Sequence, residues 1–385
     1  MRVYLDHNAT TPLAPEVLAA MMPYLTEIQG NASSVHTFGK EAARAVERAR
    51  GQVAAAIGCE PSEVIFTSGG TESNNFAIKG IAGKKGKGHV ITSSIEHPAV
   101  LEPCKYLEKR GFELAVLPVD SSGLVSPAAV AEAIRPDTAL VTIMTANNEI
   151  GMVEPVSEIA AVCRERGVPF HTDAVQAVGK IPFNVRELGV DMASMAAHKF
   201  YGPKGVGALF VRKGVRLEPL LHGGHQERGL RGSTTNVPGV VGMGAAIERA
   251  LKQMPVVSIR VKALRDRLWK GISSTVPEVA LHGDPSRALP NTLNVGFQYI
   301  EGEGIILGLD MKGIAASTGS ACTSGSLEPS HVILAIGIPP ERAQGSVRFS
   351  LGAGNTAEEI DYVLEVLPPI IARLRAMSPL WKGQG

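Results

Sequence analysis

The 385-residue sequence is poor in four things. Cysteine appears only at Cys59, Cys104, Cys163 and Cys322, and no pair stands at C-x-x-C spacing, so neither a zinc knuckle nor a disulfide framework is expected. Net charge is nearly absent: 38 basic and 37 acidic side chains leave +1, which gives no electrostatic case for nucleic acid or an anionic membrane surface. Apolar runs stay short of the roughly 20 residues that span a bilayer, and the opening MRVYLDHNATTP lacks the apolar core of a signal peptide. A cytoplasmic protein is expected. Repeats, low-complexity tracts and the nucleotide-binding pattern G-x-x-x-x-G-K-[ST] are missing too.

What the chain does have is length for about two domains and 44% hydrophobic residues to fill their cores. From residue 63 short apolar runs alternate with amphipathic stretches: EVIFTS, then TESNNFAIKGIAG; HVITSSI, then PAVLEPCKYLEKRG; ALVTIMTA, then VSEIAAVCRERG; then VPFHTDA. That order predicts βα units and a mostly parallel sheet covered by helices. Gly111 and Gly167 follow Lys and Arg where helix ends are expected. Cys104 and Cys163 fall within helical patterns and read as packed core residues, while Cys59 lies at a helix end. Beyond about residue 255 a long helical pattern leads to NTLNVGF, SVRFSLG and a terminal helix, which predicts a smaller α+β domain with a boundary near residues 252 to 260.

Polar residues cluster just after the predicted strands: Gly69, Gly70 and Thr71, then His97, Asn148, Asp173 and Gln176. In an open parallel sheet these strand ends form the ligand crevice, so scattered segments converge on one candidate site. Lys199, in AAHKFYGPKG, follows an apolar run rather than a charged face, and a desolvated lysine there acts as a Schiff-base nucleophile. Asp173 ends an apolar strand and needs a cationic partner, which the protonated pyridine nitrogen of pyridoxal phosphate would supply. TSGGTESNN places a glycine pair and Thr71 at the mouth of a helix, where free N–H groups and a hydroxyl suit a phosphate. GSACTSGS surrounds Cys322 with small residues that favour a solvated loop over a packed core.

These blocks together resemble the class V aminotransferase group of pyridoxal-phosphate enzymes, and within it the cysteine desulfurases of the NifS and IscS type. The resemblance runs through YLDHNATTP, TSGGTESNN, EHPAV, NNEIG, HTDAVQAVGK, HKFYGPKGVGAL, GGHQERGLRGST, STGSACTSGSLEPSH and VRFSLG, in that order. It implies an α/β fold of type I, with a mostly parallel seven-stranded sheet in a large domain, residues 13–257. A smaller α+β domain of residues 1–12 and 258–385 would carry the cysteine loop. It also implies pyridoxal 5'-phosphate as cofactor, a homodimer, L-cysteine as substrate, and an iron–sulfur scaffold protein as sulfur acceptor.

Carried over position by position, Lys199 would hold the cofactor covalently. Asp173 would face its pyridine nitrogen, Gln176 its ring hydroxyl, and His97 would stack on the ring and assist proton transfer. Asn148 would help hold it, Gly70, Thr71 and His198 would bind its phosphate, and Thr234 would reach the phosphate of the neighbouring subunit's cofactor. Arg348 would pair with the substrate carboxylate through its planar fork, assisted by Asn8. Cys322 would be the nucleophile that takes sulfur as a persulfide; no resident metal is expected, although Cys322 would touch a nascent cluster during handover. The chain departs from the pattern at Ala196, where relatives commonly have serine, at His225, where glycine is usual, and in the order LRGST. Two other readings stand beside the desulfurase: a related transaminase or selenocysteine lyase, which would share the cofactor residues without requiring Cys322, and a non-catalytic partner of a cluster scaffold.

Overall fold

The structure, a computed structural model, describes residues 1–318 and 329–381. The chain opens with strand β1 (Val3–Tyr4), helices α1 (Pro15–Thr26) and α2 (Thr37–Ile57), then β2 (Val64–Thr67) and α3 (Gly70–Lys85). Three further strand–helix steps follow: β3 (His89–Ser93) and α4 (Pro98–Glu108), β4 (Glu113–Leu117) and α5 (Pro127–Ala133), β5 (Thr138–Thr142) and α6 (Val156–Glu165). Strand β6 (Phe170–Asp173), the single turn α7 (Val185–Leu188), and strands β7 (Met192–Ala196) and β8 (Gly207–Val211) lead into the long helix α8 (Val237–Thr275). The remainder comprises β9 (Val279–Leu281), β10 (Thr292–Phe297), α9 (Gly302–Asp310), β11 (Ile314–Ala315), α10 (His331–Ala335), α11 (Pro340–Ala343), β12 (Ser346–Ser350) and α12 (Ala357–Met377).

Seven strands form the central sheet in the order β2-β8-β7-β6-β5-β3-β4, with only β8 antiparallel to its neighbours. This is the mostly parallel sheet expected. The alternation within each strand explains why it is covered on both sides. Ile65, Val90, Leu140, Met192 and Leu209 join a core with α3 and α4, whereas their neighbours Phe66, Ile91, Val141, Ala193 and Phe210 join a core with α1, α2, α6 and α8. Side chains at successive strand positions point to opposite faces, so a continuous apolar run is what a doubly covered sheet requires. Each fully buried Ile, Leu or Phe stabilises the fold by about 1.5–3 kcal/mol.

A three-stranded antiparallel sheet, β12-β10-β9, and the parallel pair β1-β11 belong to a separate core with the later half of α8, α9 and α12. The expected boundary near residues 252 to 260 is crossed by one uninterrupted helix, because α8 continues through Pro255. The helix-end glycines adopt positive φ as expected, Gly167 directly after the terminal Arg166 and Gly111 one residue farther out, after Lys109 and Arg110.

Candidate active site

The carboxyl ends of the strands open on a cavity of about 250 Å³ lined by Gly70, Thr71, His97, Asn148, Asp173, Gln176, His198 and Lys199. Eight sequence-predicted residues therefore meet at one place. A wider recess of about 510 Å³ lies at the opposite ends of β6 and β7, and none of the predicted residues lines it.

Each group reaches the cavity by a local device. Asp173 is the last residue of β6 and is buried, with Oδ1 accepting from the Val175 backbone N–H at 2.9 Å and Oδ2 accepting from Asn74 Nδ2 at 2.6 Å. A carboxylate held by two donors stays in one rotamer and keeps its charge directed into the cavity. His97 caps α4, its Nδ1 accepting from the Ala99 N–H at 3.0 Å. That bond places the imidazole proton on Nε2. Burial lowers the His97 pKa, with the Lys199 and His331 charges acting in the same direction against Asp173.

Lys199 lies at the end of a single helical turn after β7, where Nζ donates to Asn8 O at 2.6 Å and Ala9 O at 2.7 Å. His198 stands beside it, Nδ1 at 3.1 Å from Thr10 Oγ1, and burial together with nearby Lys199, Lys204 and Lys180 pushes its pKa down to about 4. It is neutral at physiological pH. Gly70 and Thr71 open the 16-residue helix α3, directly after Gly69 at φ +154°. A Cβ at Gly70 would meet Val175 Cγ2 at 2.7 Å, so the close approach of the helix mouth to the turn after β6 requires glycine.

Two further predicted residues, Asn8 and Arg348, fall beside the cavity. Asn8 is buried, and its carboxamide donates to Asn148 O at 3.1 Å and Thr292 Oγ1 at 2.9 Å while accepting from Lys180 and Asn291. Arg348, buried in β12, donates through Nη1 to Asn148 O at 2.9 Å and through Nη2 to Asp6 Oδ1 at 2.8 Å; its Nε has no hydrogen-bond partner among the described residues. Thr234 is exposed on the segment before α8 and does not reach this cavity within its own chain. Cys322 lies outside the described residues. Burial pushes the thiols of Cys59, Cys104 and Cys163 up to about 12, so none of the three is a nucleophile near neutrality. Ala196 lines the cavity, where a serine would have offered a hydroxyl.

Sequence reasoning missed Asn74, Asp6 and Lys180. Asn74 stands inside TSGGTESNN on the inward face of α3, and Lys180 closes HTDAVQAVGK; only their three-dimensional partners mark them.

The family model described as "Aminotransferase class-V" matches residues 3–363. The cysteine desulfurase IscS of Dictyoglomus turgidum is 54% identical over 386 residues, covering 99% of this chain and 98% of that one. The chain belongs to the class V aminotransferases, in their cysteine desulfurase branch. Solved structures agree with that assignment to the desulfurases. A NifS-like protein superposes with a TM-score of 0.92 at 42% identity, covering 97% of this chain and all of that one. SspA in complex with cysteine gives a TM-score of 0.82 at 40% identity, covering 92% of this chain and all of that one. Enzymes of this family work with pyridoxal phosphate, and the donor set fits it. A carboxylate, an amine and a helix mouth with a hydroxyl surround one cavity, matching a basic ring nitrogen, a carbonyl carbon and a phosphate. No helix among the described residues is long and apolar enough to cross a membrane.

Proposed function

We propose that this chain converts L-cysteine to L-alanine with pyridoxal 5'-phosphate held by Lys199 in the crevice, the sulfur being captured on Cys322 and passed to an iron–sulfur scaffold protein. The single observation that carries the reading is the meeting of Lys199, His97 and the Asn74-braced Asp173 around one cavity. When bound, the cofactor supplies an electron sink for carbanion chemistry.

The chain's own residues then divide the work. Asp173 would keep a proton on the ring nitrogen, and Gln176 and Asn148 would help hold the ring. The mouth of α3 at Gly70 and Thr71, together with His198, takes the phosphate, with Thr234 contributed across a homodimer. Arg348 pairs with the substrate carboxylate, aided by Asn8. Lys199 Nζ would take the proton from the substrate Cα, and His97 Nε2 would assist proton transfer. The Cys322 thiolate attacks the substrate sulfur; an S–S bond forms as the C–S bond breaks, leaving a persulfide on Cys322, and the three-carbon remainder takes up a proton on the way to alanine.

The domain division into residues 13–257 and residues 1–12 with 258–385 belongs to the same reading, as does a cytoplasmic location. Incubation of purified protein with L-cysteine and a thiol reductant, comparing the parent with Cys322→Ala, tests it. Equal release of alanine and sulfide by the parent, and neither by a variant that still binds cofactor, is expected. Sulfide release by Cys322→Ala at the parental rate would overturn the persulfide step.

A further inference from the structure

Lys180 stands on the turn leaving β6, outside every role assigned above. Its Nζ donates inward to Gln176 Oε1 at 2.5 Å and to Asn8 Oδ1 at 3.1 Å. Gln176 Nε2 in turn donates to Asn8 O at 2.9 Å, the same carbonyl that receives Lys199 Nζ. Two lysines thus grip one residue from two sides, Lys180 through the Asn8 side chain and Lys199 through its backbone.

Because Lys180 Nζ donates to Oε1, the Gln176 carboxamide turns its nitrogen the other way. With Oε1 accepting from Lys180, Gln176, which lines the cavity, turns its NH₂ group away from that lysine. One of those hydrogens meets Asn8 O; the second is directed by the same lock. The charged and titratable groups facing Lys180 are Lys199 and His198 from the turn after β7, His7 from the amino-terminal segment, and Arg348 of β12 with its partner Asp6. Burial lowers the Lys180 pKa well below the ordinary lysine value, with the Lys199 and Arg348 charges acting in the same direction, while two amide oxygens accept from Nζ.

We propose that Lys180 is a positioning residue that makes Gln176 a hydrogen-bond donor toward the cofactor ring oxygen and fixes the Asn8 carbonyl against Lys199. The inference rests on the pyridoxal-phosphate reading above, because that ring oxygen is the acceptor the Gln176 amide would meet. A donor there favours the ionised ring oxygen.

The test titrates the cofactor absorbance with pH in holoenzyme of the parent, Lys180→Met and Lys180→Gln, with kcat and KM for cysteine measured alongside. Lys180→Met frees Gln176 to turn, so its midpoint should rise by about one pH unit, a tenfold change in proton affinity. Its kcat should fall about tenfold, with KM nearly unchanged. Lys180→Gln restores a neutral donor to Gln176 Oε1 and should titrate close to the parent. A Lys180→Met midpoint equal to the parent's overturns the proposal, as does a Lys180→Gln midpoint equal to a shifted Lys180→Met, which would assign the effect to charge alone. If Lys180→Met does not fold, a crystal structure of the parent holoenzyme decides: Nζ must lie within about 3.2 Å of Gln176 Oε1, and a lysine turned away overturns the claim. A parent that takes up no pyridoxal phosphate would instead sink the cofactor reading itself.

Discussion

The wall of the crevice built by the seven-stranded sheet and the wall built by β10 and β12 hold their functional groups in different ways. On the first wall Asp173 and His97 are each fixed by a backbone N–H two residues on, so a short peptide segment carries both the group and its brace. On the second wall nothing is local. Arg348 depends on Asp6 and Asn148, and Asn8 depends on Asn291, Thr292 and Lys180, partners separated by long stretches of chain. The first wall is set once a strand ends; the second exists only when the amino-terminal segment, β10 and β12 have come together.

The comparison breaks most visibly at the first wall. Lys199→Ala removes the group proposed to move the Cα proton and should lower alanine formation about 10²–10⁴-fold, with the protein still folded by circular dichroism. A loss below tenfold would mean that another base serves. On the second wall Arg348→Lys keeps the charge and loses the fork, so KM for cysteine should rise about tenfold or more while kcat changes less. A kcat effect without a KM effect would move Arg348 away from the substrate carboxylate. Asn74→Ala sharpens the comparison because it removes the long-range brace of Asp173 and leaves its local one. Loss of a charge-assisted bond to Asp173, about 1.5–3 kcal/mol, should weaken cofactor retention roughly tenfold, measured by dialysis and absorbance.

The smallest effect concerns Glu96, buried behind His97. Its Oε1 accepts from Ser93 Oγ and the Met144 N–H, its Oε2 has no partner among the described residues, and burial pushes its pKa up to about 8. A carboxyl raised on folding stabilises fully below its ordinary pKa of 4.5, and that contribution is lost as pH rises through 8. Glu96→Gln should therefore unfold with a flatter pH dependence between about 5 and 8.5, a difference of up to about 4 kcal/mol. Parallel profiles for the two proteins would show that Glu96 is already ionised.

The same contrast governs what could be read from the sequence. The central sheet was legible because unbroken apolar runs admit one physical explanation, burial on both faces, and the first wall was legible because its groups follow those runs directly. Lys180 and Asn74 lay within quoted motifs yet carried no local mark of their partners. The pairing of Arg348 with Asp6 joins β12 to the amino-terminal segment, and no spacing rule reaches that far. The boundary expected near residues 252 to 260 falls inside α8, which continues through Pro255 with surrounding packing outweighing the missing N–H.

Helix α8 spans 39 residues, contributes to the cores of both halves, and is pinned midway where Ser258 Oγ donates to Lys180 O at 2.9 Å. Such a helix sets a phase relation between its two ends. One residue inserted near Pro255 would rotate everything beyond it by about 100° about the axis, since each residue advances the spiral by that angle. The two cores could then not both be packed at once, so the length of this helix is constrained as firmly as the side chains it buries in them.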